Sequence, residues 1–241
     1  MSSSPPPFPY RDRLALALDV DDLVEATDLA SELAPWFGVA KIGLELFLAS
    51  GPEAIAALRE RDLDVFVDLK LHDIPTTVHK AARVLGAVGA RYVTLHAQGG
   101  LAMLRAGVEG MLAGAEGAGL ADPMALAVTV LTSDTEAPPH IVPNRVRTAL
   151  EAGCGGLVCA SADLVAAHEC GPGLFRVVPG IRAQGGDRHD QPRAVTPVEA
   201  FTRGADMLVV GRAVTGATDP RAAARELLAD LATPGGALAP A

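Results

Sequence analysis

Eight short, almost continuously apolar runs, separated by stretches with helical spacing, constrain the fold of this chain more than any other feature. The runs cover residues 14–19, 40–45, 65–70, 92–97, 125–131, 156–161, 175–180 and 207–212. Strands that are apolar at successive positions need cover on both faces, which is the situation of a parallel sheet. The stretches between them supply that cover: Leu23–Leu33, 52–60, 77–88 and 220–231 space their apolar residues as helices do. Asp219 followed by Pro220 reads as a helix start, with Asp as cap and Pro at the first position. Strand and helix alternate without a linker, so the chain reads as a single-domain α/β fold, a (β/α)8 TIM barrel. A doubly wound open sheet is the alternative. It is weakened because no G-x-G-x-x-G follows the first strand and no G-x-x-x-x-G-K-[ST] occurs anywhere. The barrel is expected over residues 13–232, with 1–12 and 233–241 as flexible ends.

Composition narrows the function. With 20 Lys+Arg against 29 Asp+Glu the net charge is −9, which argues against a nucleic-acid partner. No run of about 18 apolar residues is present, so no membrane span is expected. Cys154, Cys159 and Cys170 are odd in number and form no Cys-x-x-Cys pair, which argues against a disulfide framework and a zinc site. The Ser- and Pro-rich N-terminus lacks the basic and apolar regions of a signal peptide, so a cytoplasmic location is expected. The most telling count is that of lysine: Lys41, Lys70 and Lys80 are the only three, beside 17 arginines.

In such a barrel the reactive groups sit where strands end. The eight exits offer Asp19, Lys41, Asp68 with Lys70, His96, Thr132 with Ser133, Ser161, Arg182 and Arg212. Ser161 reads as a solvated loop start and Lys80 as a surface charge; His96 is balanced between a backbone contact and a functional role. Two of the three lysines fall at exits 2 and 3. An arginine cannot replace an amine that must release a proton, so a lysine kept in an arginine-rich chain points to proton chemistry or a tight point-charge contact.

The segment Asp68-Leu69-Lys70-Leu71-His72-Asp73-Ile74-Pro75 is the sharpest in the chain. On a regular strand Asp68 and Lys70 face the same side, roughly 6.6 Å apart. Lys41 can reach the same point from the neighbouring strand, and Asp19 from strand 1, giving alternating ammoniums and carboxylates. Burying such an array is a poor way to stabilise a barrel, so it points to function. Across the mouth, Gly211-Arg212 ends strand 8: the glycine lets a phosphate approach the backbone and the arginine offers a fork of donors. The polar stretch 183–193 after Arg182 reads as a lid. Its Asp187, His189 and Asp190 form a cluster, but such spacing in a flexible loop is weak evidence and no metal is predicted.

These residues resemble orotidine 5′-phosphate decarboxylases from about Arg13 to Leu231. The resemblance lies in Leu18-Asp19, Lys41-Ile42-Gly43, Asp68-x-Lys70-x-x-Asp73-Ile74-Pro75 and Thr94-x-His96-Ala97-x-x-Gly100. It continues through Leu131-Thr132-Ser133, Val178-Pro179-Gly180-Ile181-Arg182, Asp190-Gln191 and Val210-Gly211-Arg212. It implies decarboxylation of orotidine 5′-phosphate to UMP, in a homodimer that uses no metal and no organic cofactor. Lys70 would protonate C6, and Asp68, held by Lys41, would sit beside the substrate carboxylate. Asp73 would be supplied across the interface. Asp19 and Lys41 would contact the ribose and Thr132 and Ser133 the pyrimidine, with Thr76 and Thr77 among the substrate-binding residues. Gln191, Gly211 and Arg212 would hold the phosphate, with Arg182 nearby. Two rival readings fit part of the pattern: a metal-dependent 3-hexulose-6-phosphate synthase and a non-catalytic nucleotide sensor on the same barrel.

Overall fold

The computed structural model of the chain describes residues 8–131, 133–134, 137–183 and 195–232. Its strands are β1 (Leu14–Leu18), β2 (Val39–Ile42), β3 (Asp64–Leu71), β4 (Tyr92–His96), β5 (Met124–Val128), β6 (Gly156–Val158), β7 (Phe175–Val178) and β8 (Met207–Val210). Each pairs in parallel with the next, and β8 returns to β1 through Leu14↔Leu208 and Leu16↔Val210. That last pairing closes the barrel and excludes the open sheet.

Ten α-helices among the described residues wrap the barrel. They are α1 (Leu23–Leu33), α2 (Leu44–Ser50), α3 (Glu53–Arg59), α4 (Pro75–Ala87), α5 (Gly100–Gly117), α6 (Ile141–Glu151), α7 (Leu164–Cys170), α8 (Pro197–Thr202), α9 (Arg212–Thr215) and α10 (Pro220–Leu228). Their starts are set by local chemistry. Asp22 accepts from the Glu25 N–H at 2.8 Å and Asp219 from the Ala222 N–H at 2.9 Å, each satisfying a donor that the first turn leaves open. Thr196 and Glu199 cap each other's backbone at α8. No helix of the described residues is long and apolar enough to cross a membrane.

Alternation along each strand divides the core in two. Ala15, Ala17, Val39, Phe66, Tyr92, Leu126, Val177, Met207 and Val209 pack together inside the barrel. Leu14, Leu16, Leu18, Ile42, Val65 and Val67 belong to the larger cluster shared with the helices. The apolar runs outlast the strands because burial outlasts the ladder. Thr129 and Val130 stay buried after β5 ends at Val128, and Gly43 leaves β2 to open α2.

Three expectations are corrected. Ser161, expected as a solvated loop start, is buried, and its hydroxyl oxygen accepts from Arg203 Nη1 at 3.2 Å. Residues 8–12 of the expected N-terminal tail are packed: Tyr10 stacks on Phe201 with centroids 5.6 Å apart, and the Arg11 Nε–H donates to the Ala34 carbonyl at 2.8 Å. Aromatic burial and a backbone clamp hold that segment under the barrel. The regular strand expected between Asp68 and Lys70 is also broken. Phe66 and Val67 pair with Tyr92 and Val93, and the next match is Leu71 with Leu95, so four steps along β3 oppose two along β4. Lys70 lies inside this bulge with φ at 50°, in the left-handed region.

Candidate active site

A cavity of about 270 Å³ opens at the carboxyl ends of the strands. Its floor is apolar, made by Ala17, Phe66, Val128, Val158 and Val209 from the barrel interior. One wall is ionic, with Asp19, Lys41, Asp68 and Lys70 from β1 to β3. Beyond β1 the wall continues with Gly211 and Arg212 at the end of β8, next to Asp19, and with Gly180 and Arg182 after β7, while Leu131 and Ser133 follow β5 at the rim. An apolar floor with charged groups around it suits a small ligand that has an apolar body and anionic groups.

The ionic wall consists of two pairs. Lys41, only 7% exposed, donates from Nζ to Asp19 Oδ1 at 2.9 Å. Lys70 donates from Nζ to both oxygens of Asp68, each at 2.9 Å. Lys41 thus pairs with Asp19 rather than Asp68, and the array is two adjacent couples. Gly43 makes the first couple possible: a Cβ there would lie 2.9 Å from Asp19 Oδ1 and 3.2 Å from Lys41 Nζ. Burying Lys41 this deeply costs desolvation that one carboxylate repays only in part, so the pair is better read as held ready for a ligand.

Thr94, fully buried on β4, was not among the candidate site residues although it stands in one of the matching motifs. Its Oγ1 accepts the Lys70 backbone N–H at 2.8 Å and donates to Asp68 Oδ1 at 2.9 Å. A threonine in an apolar run reads as an ordinary strand former, so only the bulge reveals it. His96 ends β4 outside the cavity lining. Its Nδ1 accepts from the Gln98 N–H at 3.3 Å and its ring stacks on His72 at 5.4 Å, so the backbone contact is the role with geometry behind it. Burial, with the nearby Arg145, His72 and Lys70, holds its pKa below the ordinary 6.5.

After β7, Arg182 is buried, and its Nη1 donates to the Ile181 carbonyl at 2.9 Å. The Arg182 N–H donates to the Val195 carbonyl at 3.1 Å, drawing together the two ends of the segment between them. Arg212 is exposed at the start of α9, directly after Gly211, where a Cβ would press on Ala17 at 3.3 Å. Thr132 and Gln191, with Asp187, His189, Asp190 and the rest of the expected lid from residue 184 onward, lie outside the described residues.

Asp73, Thr76 and Thr77 are described but do not line this cavity. Asp73 is exposed and accepts from the Ile74 N–H at 2.6 Å, while both threonines are exposed in the first turn of α4. Among the described residues no group of three or more His, Cys, Asp or Glu is placed to hold a metal. Burial pushes the thiols of Cys154 and Cys159 up to about 12, which leaves them inert.

Comparison with known proteins agrees with this site. Residues 12–227 match the model of the orotidine 5′-phosphate decarboxylase / HUMPS family. The chain is 43% identical over 233 residues to the orotidine 5′-phosphate decarboxylase of Moorella thermoacetica, covering 92% of each chain. It is 44% identical over 231 residues to that of Anaeromyxobacter sp. strain K, covering 91% of this chain and 98% of the relative. Among solved structures it superposes on orotidine 5′-phosphate decarboxylase from Lactobacillus acidophilus with a TM-score of 0.77 at 32% identity, covering 92% of this chain and all of the other. With sequence, barrel and mouth in agreement, the chain belongs to the orotidine 5′-phosphate decarboxylase / HUMPS family.

Proposed function

We propose that this chain converts orotidine 5′-phosphate to UMP and CO2, as a homodimer in the cytoplasm, with no metal and no organic cofactor. The observation that carries the reading is the Lys70 ammonium bonded to both oxygens of Asp68, across a cavity from Gly211 and Arg212. Arg212 and the Gly211 N–H hold the 5′-phosphate, joined by Gln191 and with Arg182 nearby. Asp19 and Lys41 take the ribose hydroxyls. Thr132 and Ser133 meet the pyrimidine edge, and the apolar floor accepts the ring. The C6 carboxylate then lies against Asp68 and Lys70.

The chemistry follows from these charges. The bond from C6 to the carboxyl carbon breaks, its electron pair stays on C6, and CO2 departs. That pair occupies an sp² orbital with no carbonyl to delocalise it, so a fixed cation must stabilise it. Lys70 serves as that cation and then gives its proton to C6, regaining one from solvent; each turnover consumes one proton and releases one CO2. Asp68 disfavours the bound carboxylate more than the transition state that has lost it. Two unit charges about 4 Å apart interact by about 4 kcal/mol at an effective dielectric of 20. At roughly 1.4 kcal/mol per decade that is about three powers of ten. Carbanion stabilisation by Lys70 and the binding energy of the phosphate supply the rest.

Asp73, outside its own cavity and beside the exposed Ile74, is supplied to the site of a second subunit, and Thr76 and Thr77 bind substrate from the same turn. The test is an ultraviolet assay of orotidine 5′-phosphate conversion to UMP in excess EDTA. Turnover undiminished by the chelator is expected. Absence of turnover, or strict metal dependence with condensation of formaldehyde and a pentulose phosphate, would replace this reading with the hexulose phosphate synthase.

A further inference from the structure

We infer that Thr94 is a positioning residue whose single hydroxyl holds Lys70 and Asp68 in working geometry. The inference rests on the role proposed above for Lys70. At the mouth, Thr94 is the only β4 residue between two matched pairs, Val67 with Val93 and Leu71 with Leu95, so Asp68, Leu69 and Lys70 loop out opposite it. A lysine at φ 50° is in a conformation that side chains other than glycine adopt rarely, and something must hold it there. In a regular ladder the Lys70 N–H would meet a β4 carbonyl. Here it meets the Thr94 Oγ1 at 2.8 Å, and the proton of that hydroxyl points on to Asp68 Oδ1 at 2.9 Å.

A hydroxyl has one proton to give and lone pairs to accept, and Thr94 uses both functions on the two ends of one bulge. The backbone of Lys70 and the side chain of Asp68 are thereby fixed relative to each other, and Lys70 Nζ closes the ring on both Asp68 oxygens. Thr94 is fully buried and touches neither the cavity nor anything expected to bind in it, so it acts through its two neighbours. Without the hydroxyl the Lys70 N–H loses its acceptor, Asp68 loses a donor, and the bulge is free to relax toward regular pairing. That turns the ammonium away from C6 but leaves the phosphate wall untouched.

The expected signature is a loss of kcat without a matching loss of binding. Thr94→Val, which keeps the shape, should lower kcat by about a hundredfold, the scale on which a small displacement of a reacting group acts. It should leave KM and UMP binding within about threefold, and Thr94→Ser should restore kcat to within about fivefold of wild type. If the valine variant does not fold, Thr94→Ala removes the same hydroxyl without adding a methyl and is read in the same way. Wild-type kcat in a folded variant lacking the hydroxyl, or a serine variant as slow as the valine one, would overturn the inference. Lys70→Ala assayed in parallel separates the two readings. If it turns over normally the role of Lys70 falls, whereas if it is inactive while Thr94→Val is unimpaired only the role of Thr94 falls.

Discussion

At the scale of single residues, the surroundings of His96, outside the cavity lining, disfavour its charged form. Burial first, and then Arg145, His72 and Lys70, lower its pKa, so the folded protein favours the neutral ring. The unfolded chain takes up this proton near 6.5. Stability owed to neutral His96 is therefore complete above that pH and is lost as the pH falls from 6.5 toward the lower folded value. Replacing it by Asn, which keeps an acceptor for the Gln98 N–H, should remove this dependence. Thermal melts from pH 7.5 to 5.5 should show wild type losing more stability than His96→Asn; parallel curves would refute it. Residues of this kind are legible in the sequence only when their chemistry is rare. Lys41 and Lys70 could be picked out because lysine is scarce in this chain and because both fall at strand exits. Thr94 could not, since its value lies in a bulge that no local pattern announces, and the partner of Lys41 depends on the space over Gly43.

At the scale of elements, the pairing of α4 with α5 is the tightest statement the fold makes. Gly86 on α4 faces the Met111 carbonyl, and Gly110 and Gly114 on α5 face the carbonyls of His79 and Arg83, each so close that a Cβ would overlap the oxygen. His79 Nδ1 lies 3.1 Å from the Ala106 carbonyl in the same seam. This contact seats α4, whose first turn follows Asp73. Gly110→Ala should destabilise by about 1–3 kcal/mol, the cost of overpacking a closed contact. Gly117→Ala, at the end of the same helix with nothing near its Cβ, should be neutral or stabilising by up to about 1 kcal/mol. Urea titrations of the two variants check the opposite signs, and equal effects would contradict the packing. The same glycines explain why α5 escapes a reading by periodicity: glycine counts against a helix locally, while close packing demands it here. Leu23–Leu33 was legible from its helical spacing, whereas α2 was hidden because Leu44 continues the apolar run of β2.

At the scale of the whole molecule, the barrel follows from eight apolar runs, since strands buried on both faces and joined by helices have few other ways to close. The proposed second subunit is what one chain does not display. Ile74, next to Asp73, is 66% exposed, and Leu48 on α2 is 82% exposed. If Asp73 completes a second subunit's site, mixing inactive Asp73→Ala and Lys70→Ala subunits should restore about a quarter of the wild-type activity. Half of the dimers would be mixed, and each mixed dimer would hold one intact site of two. Heterodimers that form and stay inactive would exclude the shared site. The net charge of −9 opposes an anionic substrate at a distance, so the attraction is local, and it resides in the cations that ring the mouth. The most direct test of the central claim compares wild type and Lys70→Ala for CO2 release from orotidine 5′-phosphate, with UMP affinity measured on both. Turnover in the wild type, its loss in the variant and UMP binding within about tenfold are predicted, because the phosphate supplies most of the affinity. Wild-type-like CO2 release from Lys70→Ala would contradict the account.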